Sequence, residues 1–246
     1  MSFEIVTYAN KSEGMFEKLL NNEFGVSIKV LGWNKKWEGY TDKVVGVLEF
    51  IETKNDEDII VFLDGFDTKI NKNPEHLISV FKKYDTKVLL SKEPNPMGKY
   101  IAKTVFGDCK GNNIANAGLY MGYVKELKIY LNDTLKSKCK DDQRNFNISC
   151  KKYDFIKIDE EEKIFQNISP NTFNKNSDAI FVSYPGSLSV HRCARAFIEY
   201  AQFLYIHVLC LLFIGIILFP HYKKPLFYVG LCLLTLYILF ADKSCI

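Results

Sequence analysis

The sequence predicts an α/β protein with a mixed, mainly parallel sheet flanked by helices, followed by a C-terminal helical membrane hairpin. Short β-rich runs alternate with helical patterns from residue 3 to residue 91, which is typical of a doubly wound sheet. Two apolar runs without a formal charge, at 203–219 and 225–241, follow near the C-terminus, and about 17–25 such residues cross a bilayer. We therefore expect an α/β domain at 1–196 and a membrane hairpin at 197–246.

The first elements each have a local signal. β-branched and aromatic residues indicate a strand at 3–8, and Ser12 is a suitable N-cap for a helix at 12–20. A strand is expected at 27–31. The apolar residues of 41–51 then recur at helical spacing, which indicates a helix.

The next elements complete the alternation. Residues 58–63 are nearly all apolar, as in a parallel strand that is buried on both faces. Pro74 suits the start of a helix at 74–84, and a strand follows at 87–91. Further helices are expected at 125–138 and 141–146, and further strands at 155–158, 163–165, 179–183 and 188–190.

Charge and cysteine content exclude several classes of protein. The net charge of +3 over 246 residues is too small to indicate a nucleic-acid partner. The seven cysteines include no CxxC pair, so a zinc site is not expected. The N-terminal residues do not show a basic segment followed by an apolar one, so we expect no cleavable signal peptide.

The orientation of the expected hairpin rests on a few basic residues. Lys223 and Lys224 lie between the two apolar runs and favour a cytosolic turn, whereas Arg192 and Arg195 before the first run favour a cytosolic main domain. Without a signal peptide, a domain of this size is difficult to translocate. We therefore expect an integral membrane protein with a cytosolic main domain, and a lumenal domain is the alternative.

The strongest chemical signal is Asp64-Gly-Phe-Asp67, where an apolar strand ends in two carboxylates. Mg²⁺ and Mn²⁺ take oxygen ligands and commonly bridge protein carboxylates to substrate phosphates. The spacing therefore indicates a divalent cation site. It also leaves open a plain surface turn that Asp64 caps.

Four other residues have both a functional and a structural interpretation. Asp141 and Asp142 form an acidic pair that belongs either to a site or to a solvated helix start. His191 follows an expected strand and is either a metal ligand or a structural histidine. Lys43 either balances a diphosphate charge or is solvated. The phosphate-loop and dinucleotide motifs are absent from the sequence.

A series of short motifs runs through residues 3–192. The motifs are Val6-Thr-Tyr-Ala9, Glu13-Gly14, Leu31-Gly-Trp33, Lys36-Trp-Glu-Gly39, Asp64-Gly-Phe-Asp67, Ser91-Lys-Glu93, Asn116-Ala-Gly-Leu-Tyr-Met-Gly122, Asp141-Asp-Gln143, Ile164-Phe-Gln-Asn167 and Val190-His191. In this order they resemble the glycosyltransferase domain of the procollagen lysyl hydroxylases and, more distantly, the collagen galactosyltransferases.

This resemblance implies a GT-A fold, which is Rossmann-like, and transfer of glucose or galactose from a UDP-sugar to a hydroxyl acceptor. It implies Mn²⁺, or Mg²⁺ in its place, bound by Asp64, Asp67 and His191. Asp141 and Asp142 would face the donor sugar as catalytic residues. The residues implied to contact the nucleotide, the diphosphate or the sugar are Thr7, Lys43, Phe66, Asn116 and Arg192.

The implied partners are the UDP-hexose, a hydroxyl acceptor on a protein or glycan, and membrane lipid through the hairpin. Two departures from the family pattern keep other functions open. Gly46 stands where the family has a tryptophan, and Arg192-Cys-Ala follows His191 in place of Gly-Asn-Gly. One alternative is a degenerate transferase that acts as a binding or scaffold protein. The other is a hydrolase of nucleotide sugars, with water as the acceptor.

Overall fold

The computed structural model describes residues 3–94, 99–168 and 176–185, together with six isolated positions near the C-terminus. The chain divides into two units, Met1–Leu188 and Ser189–Ile246. All strands within the described residues belong to the first unit.

Strands and helices alternate through the first unit. The described strands are β1 (Phe3–Tyr8), β2 (Ile28–Leu31), β3 (Ile59–Asp64), β4 (Thr68–Ile70), β5 (Val88–Lys92), β6 (Ala115–Tyr123), β7 (Ile156–Ile158), β8 (Phe165–Asn167) and β9 (Phe181–Ser183). The described α-helices are α1 (Phe16–Leu20), α2 (Thr41–Ile51), α3 (Leu77–Lys83), α4 (Lys99–Phe106), α5 (Val124–Thr134) and α6 (Asp142–Cys150).

A six-stranded sheet with the order β2-β1-β3-β6-β5-β7 forms the centre of this unit. β6 is antiparallel to its neighbours β3 and β5, while the other neighbouring pairs are parallel. A second sheet of three strands has the order β4-β9-β8. The mixed, mainly parallel sheet with flanking helices that the sequence predicts is therefore confirmed.

Apolar layers cover both faces of the six-stranded sheet. Ile60 and Phe62 of β3 pack into the layer that contains buried residues of α2, α5 and α6. Ile59, Val61 and Leu63 pack into the opposite layer with residues of α1, α3 and the small sheet. Because successive side chains of a strand point to opposite faces, a strand covered on both faces must be apolar throughout.

Several element bounds differ from the expectation. The helix expected at 12–20 begins only at Phe16, because Gly14 before it has a φ of +60° and the chain turns there. The helix expected at 125–138 ends at Thr134. The strand expected at 163–165 lies at Phe165–Asn167. Helix α4 and strands β4 and β6 had no prediction, and the strand expected at 188–190 lies outside the described residues.

The predicted membrane hairpin has no support from the structure. Of the runs at 203–219 and 225–241, the structure describes six isolated positions, all of them helical. Within the part of the chain that is described, no helix has the length and apolar character needed to cross a bilayer. The hairpin therefore remains a prediction.

A disulfide joins Cys109 to Cys150 inside the apolar layer under α2, α5 and α6. Cys109 follows α4 and Cys150 is the last residue of α6, and their Cα atoms lie 5.3 Å apart. That distance is usual for a disulfide. The bond therefore ties the end of α6 to a segment that is distant in sequence.

We expect the double variant Cys109→Ala/Cys150→Ala to be less stable than the wild type by about 2–4 kcal/mol, because the disulfide restricts the unfolded chain. Urea unfolding of the full chain in mild detergent measures this difference. Addition of a reductant should shrink it, because the wild type then also loses the bond. Cys210→Ala, which removes an exposed free thiol, is the control and should leave the stability unchanged. Equal stability of the double variant and the wild type would contradict the prediction.

Candidate active site

The carboxyl edge of the six-stranded sheet carries a largely buried lysine, 13% exposed, between two carboxylates. Lys43 lies in the first turn of α2, Asp64 ends β3, and Asp142 begins α6. The Nζ atom of Lys43 lies 2.8 Å from Asp142 Oδ2 and 3.5 Å from Asp64 Oδ2. Three of the residues that the sequence predicts for the site are thus in contact. Ligands of open α/β sheets bind at this edge.

The neighbouring carboxylates stabilise the protonated form of Lys43. Burial by itself would lower the pKa of the ammonium, but the carboxylates of Asp142 and Asp64 together raise that pKa well above its ordinary value. Lys43 therefore keeps its positive charge at neutral pH. A fixed cation of this kind suits the binding of an anionic group such as a diphosphate.

The turn from Asp64 to Asp67 is held at its centre by Phe66. The N–H of Phe66 donates to Asp64 Oδ1 at 3.2 Å, and the carbonyl oxygen of Phe66 accepts from the N–H of Met15 at 2.8 Å. A Cβ atom on Gly14 would lie 2.2 Å from that oxygen. Only glycine permits this close approach, so the segment before α1 positions the turn.

The carboxylates of Asp67 and Asp64 lie close enough together for their negative charges to repel each other. Burial and the neighbouring Asp64 raise the pKa of Asp67 to about 7, while hydrogen bonds from Ser183 and Thr68 oppose the rise. A pair of crowded carboxylate oxygens is the donor set that Mg²⁺ and Mn²⁺ prefer. Asp64 and Asp67 thus fit a divalent cation.

The third predicted metal ligand cannot be placed. His191 lies outside the described residues, as does Arg192. Within the described part of the chain, no group of three or more His, Cys, Asp or Glu residues is arranged to hold a metal ion. The described residues therefore supply two carboxylates to the predicted cation site.

A bulge in β6 brings that strand against Asp64. Leu90 of β5 pairs with Tyr120, but the next residue of β5 pairs with Asn116, so residues 117–119 bulge away from β5. The N–H of Gly118 donates to Asn116 Oδ1 at 2.8 Å. A Cβ atom on Gly118 would lie 2.9 Å from this oxygen and 3.5 Å from the Cβ of Asp64. A larger residue at this position would crowd the amide oxygen of Asn116 and disturb its bond to Gly118.

Sequence reasoning assigned no role to Glu93, which anchors Asn116. Glu93 follows β5 and is 9% exposed. Its Oε2 atom accepts from Asn116 Nδ2 at 2.7 Å and from Gln143 Nε2 at 3.0 Å. Burial raises the pKa of Glu93, and these two amide bonds oppose the rise. An acid directly after a buried strand was the available signal, since the same signal singled out Asp64.

Asp141 caps α6 and is close to Asp142. Its Oδ1 atom accepts from the N–H of Arg144 at 2.7 Å. Burial and then the charge of Asp142 raise the pKa of Asp141 to about 7, and the bond from Arg144 opposes the rise. The acidic pair is therefore both a helix start and part of the site, so the two interpretations of the sequence are compatible.

Exposed aromatic rings lie beside Lys43. Trp37 and Tyr40 are 38% and 37% exposed, and their ring centroids are 5.9 Å apart. Trp37 also lies 5.9 Å from the ring of Tyr8, and the Nζ of Lys43 lies 5.7 Å from the ring of Tyr40. Rings placed next to a buried cation can stack on a base whose phosphates reach that cation.

Thr7 does not present its side chain to the site. It is fully buried, and its hydroxyl donates to the carbonyl oxygen of Leu63 at 2.7 Å. The hydroxyl thus ties β1 to β3 along their parallel register. Any contact of Thr7 with a nucleotide would have to come from its backbone.

The fold and the site geometry together define a class of protein. A mainly parallel α/β sheet with a carboxylate pair at the end of a strand fits a glycosyltransferase domain of the GT-A type. The family model described as the PLOD GT domain matches residues 1–179. The chain therefore belongs to the family of PLOD glycosyltransferase domains, as the resemblance to the procollagen lysyl hydroxylases predicts. None of the curated proteins matches the chain.

The raised pKa of Asp141 makes a prediction for stability. Between pH 4 and pH 7 the folded protein retains a proton that the unfolded chain has lost, so ionisation of Asp141 lowers the free energy of unfolding as the pH rises. Asp141→Asn keeps the capping oxygen and removes the charge. We expect it to be more stable than the wild type by about 1–2 kcal/mol at pH 8 and equally stable at pH 4.

Urea unfolding of the full chain at both pH values measures this effect. Asp154→Asn is the control, because Lys110 lowers the pKa of Asp154 and removal of that carboxylate adds no stability at pH 8. A difference between Asp141→Asn and the wild type that is the same at pH 4 and pH 8 would refute the assignment.

Proposed function

We propose that the chain transfers glucose or galactose from a UDP-sugar to a hydroxyl acceptor with the help of Mn²⁺, or of Mg²⁺ in its place. One observation carries the proposal: the ammonium of Lys43 lies between Asp64 and Asp142 at the carboxyl edge of the sheet. The ammonium of Lys43, the carboxylates and the exposed aromatic rings are therefore neighbours. A nucleotide sugar bound with a metal ion needs such groups for its diphosphate, its metal ion and its base.

We assign the residues of the candidate active site the following roles. Trp37 and Tyr40 stack on the uracil, and Lys43 pairs with the diphosphate. Asp64 and Asp67 hold the cation. When bound, a divalent cation offsets the negative charge that grows on UDP as it leaves.

Residues in and near α6 contact the donor sugar and the acceptor. Asp142 contacts the donor sugar and assists the acceptor hydroxyl as a proton acceptor. Asn116, which Glu93 and Gln143 hold in place, shapes the sugar site. Phe66 lies next to the nucleotide through the turn that it shares with Asp64.

One of the two departures from the family pattern, Gly46, no longer supports a degenerate transferase that acts as a scaffold. Gly46 stands where the family has a tryptophan, but the space beside it is filled by the ring of Tyr8. A Cβ atom on Gly46 would lie 2.8 Å from two carbon atoms of that ring. Tyr8 also contacts Trp37, so an aromatic surface is present without the tryptophan. This observation supports the transferase over a degenerate fold.

We also propose that the runs at 203–219 and 225–241 anchor the chain in a membrane, because each is uncharged over about a bilayer's thickness. The Cys109–Cys150 disulfide favours the lumenal alternative for the main domain over the cytosolic expectation. Disulfides form and persist in oxidising compartments and are rare in the cytosol.

This placement predicts the thiol state of the protein in cells. If the domain is lumenal, a maleimide–polyethylene glycol reagent added to rapidly denatured cells should not modify Cys109 and Cys150 unless a reductant is added first. Cys210 is the control, since its free thiol should react in both conditions. Full modification of Cys109 and Cys150 without a reductant would support a cytosolic domain.

The transferase proposal predicts metal-dependent release of UDP. The full chain in mild detergent is incubated with UDP-glucose, UDP-galactose or UDP-N-acetylglucosamine, with Mn²⁺ or with EDTA. The sugar passes to water, or to a hydroxyl acceptor where one is added. We expect release from one of the two hexose donors with Mn²⁺ only. Asp64→Asn and Asp67→Asn should each lower the rate roughly 100-fold or more, because they remove cation ligands.

Asp154→Asn is the matched control, since it neutralises an aspartate whose side chain is fully exposed on the same domain. Its rate should equal that of the wild type. UDP release that no added acceptor accelerates would instead support the nucleotide-sugar hydrolase. A folded protein that neither releases nor binds UDP would support the scaffold.

A further inference from the structure

Strand β9 and the residue that follows it bind both the side chain and the backbone of Asp67. Asp67 immediately precedes β4, which pairs antiparallel with β9 so that Thr68 lies opposite Ser183. The N–H of Tyr184 donates to the carbonyl oxygen of Asp67 at 2.9 Å. The hydroxyl of Ser183 donates to Asp67 Oδ1 at 2.8 Å. A segment more than a hundred residues away in sequence thus reaches the carboxylate.

The two side-chain hydrogen bonds of Asp67 converge on one oxygen. Besides Ser183, the hydroxyl of Thr68 lies 3.4 Å from the same Oδ1 atom. Of the two donors, the Ser183 hydroxyl makes the shorter contact, and Ser183 is only 2% exposed. Donors on Oδ1 fix the plane of the carboxylate and do not engage Oδ2. Carboxylates that bind metal ions are commonly oriented by hydrogen bonds of this kind.

The Ser183 hydroxyl is not needed to hold the small sheet together. β4 and β9 are paired along Thr68–Ser183, Lys69–Val182 and Ile70–Phe181, and the backbone bond from Tyr184 extends the pairing. Apolar residues of β8 and β9 also pack into the layer under the main sheet. Removal of one hydroxyl therefore leaves the strands in place, and the carboxylate of Asp67 keeps the longer bond from Thr68 but loses the shorter one.

We propose that Ser183 is a positioning residue for a divalent cation at Asp67, and that its hydroxyl orients the carboxylate for coordination. This inference rests on the proposed function, because it assumes that Asp67 is a cation ligand. It adds a residue from the far end of the domain, which none of the motifs in the sequence contains.

The test is the dissociation constant for Mn²⁺, measured on the full chain in mild detergent with UDP present, from the electron paramagnetic resonance signal of free Mn²⁺. Ser183→Ala should raise this constant about 10-fold or more. Ser183→Thr keeps a hydroxyl and should restore most of the affinity. Asp67→Asn should abolish binding.

The matched control is Ser149→Ala. Ser149 is also a buried serine whose hydroxyl binds a carboxylate, that of Asp133, but on α6 at a different site. The Ser149→Ala variant removes a hydroxyl of the same kind and should leave the dissociation constant for Mn²⁺ unchanged. The urea midpoint of each variant shows that it is folded. If Ser183→Ala does not fold, Ser183→Cys, with its weaker donor, takes its place in the same comparison.

The outcomes separate the inference from the proposed function. If the wild type binds Mn²⁺ and Ser183→Ala binds it equally well, Ser183 is a structural residue and the inference is overturned while the cation site stands. If Ser183→Thr is as weak as Ser183→Ala, the hydroxyl is not the cause, which also overturns it. If the wild type itself binds no Mn²⁺, the cation site of the proposed function fails, and the role of Ser183 fails with it.

Discussion

The ion pairs of Lys43 with Asp64 and Asp142 are the contacts on which the site depends. Burial of an unpaired charge costs on the order of several kcal/mol, whereas opposite charges in contact offset that cost. The raised pKa of Lys43 shows that the carboxylates outweigh burial. The pairs join α2, β3 and α6 at the edge of the sheet, so a loss of either carboxylate would disturb elements that are far apart in sequence.

The same region holds more negative charge than Lys43 can neutralise. Asp67 and Asp141 lie close to the paired carboxylates, and each has its pKa raised to about 7 by burial and by a neighbouring acid. Crowded acids destabilise the folded chain at neutral pH, and such strain is retained where a function requires it. Under the proposed function, a divalent cation bound at this edge would relieve the repulsion between Asp64 and Asp67, and its binding would raise the stability of the fold.

Glycine decides how closely the backbone approaches these acids. Gly14 lets the segment before α1 meet the carbonyl oxygen of Phe66, and Gly118 leaves room for the amide oxygen of Asn116 in the bulge of β6 beside Asp64. Both glycines were visible within motifs, but neither position could be assigned a contact from the sequence. The bulge depends on how β6 pairs with β5, and pairing between distant strands leaves no local pattern. Glu93 lies in a motif and directly follows a buried strand, but its bonds to Asn116 and Gln143 could not be assigned, because these partners lie in other elements.

The sequence by itself determined the alternation of strands and helices, the burial of β3 on both faces and the acids at its carboxyl end. These follow from hydrophobic periodicity and local backbone preferences, which short stretches of chain express on their own. Only the tertiary structure decided that β6 runs antiparallel, that Lys43 sits between two acids and that Ser183 reaches Asp67 across 116 positions. Such contacts depend on the packing of whole elements, because burial of apolar surface, and not the polar residues themselves, brings distant segments together.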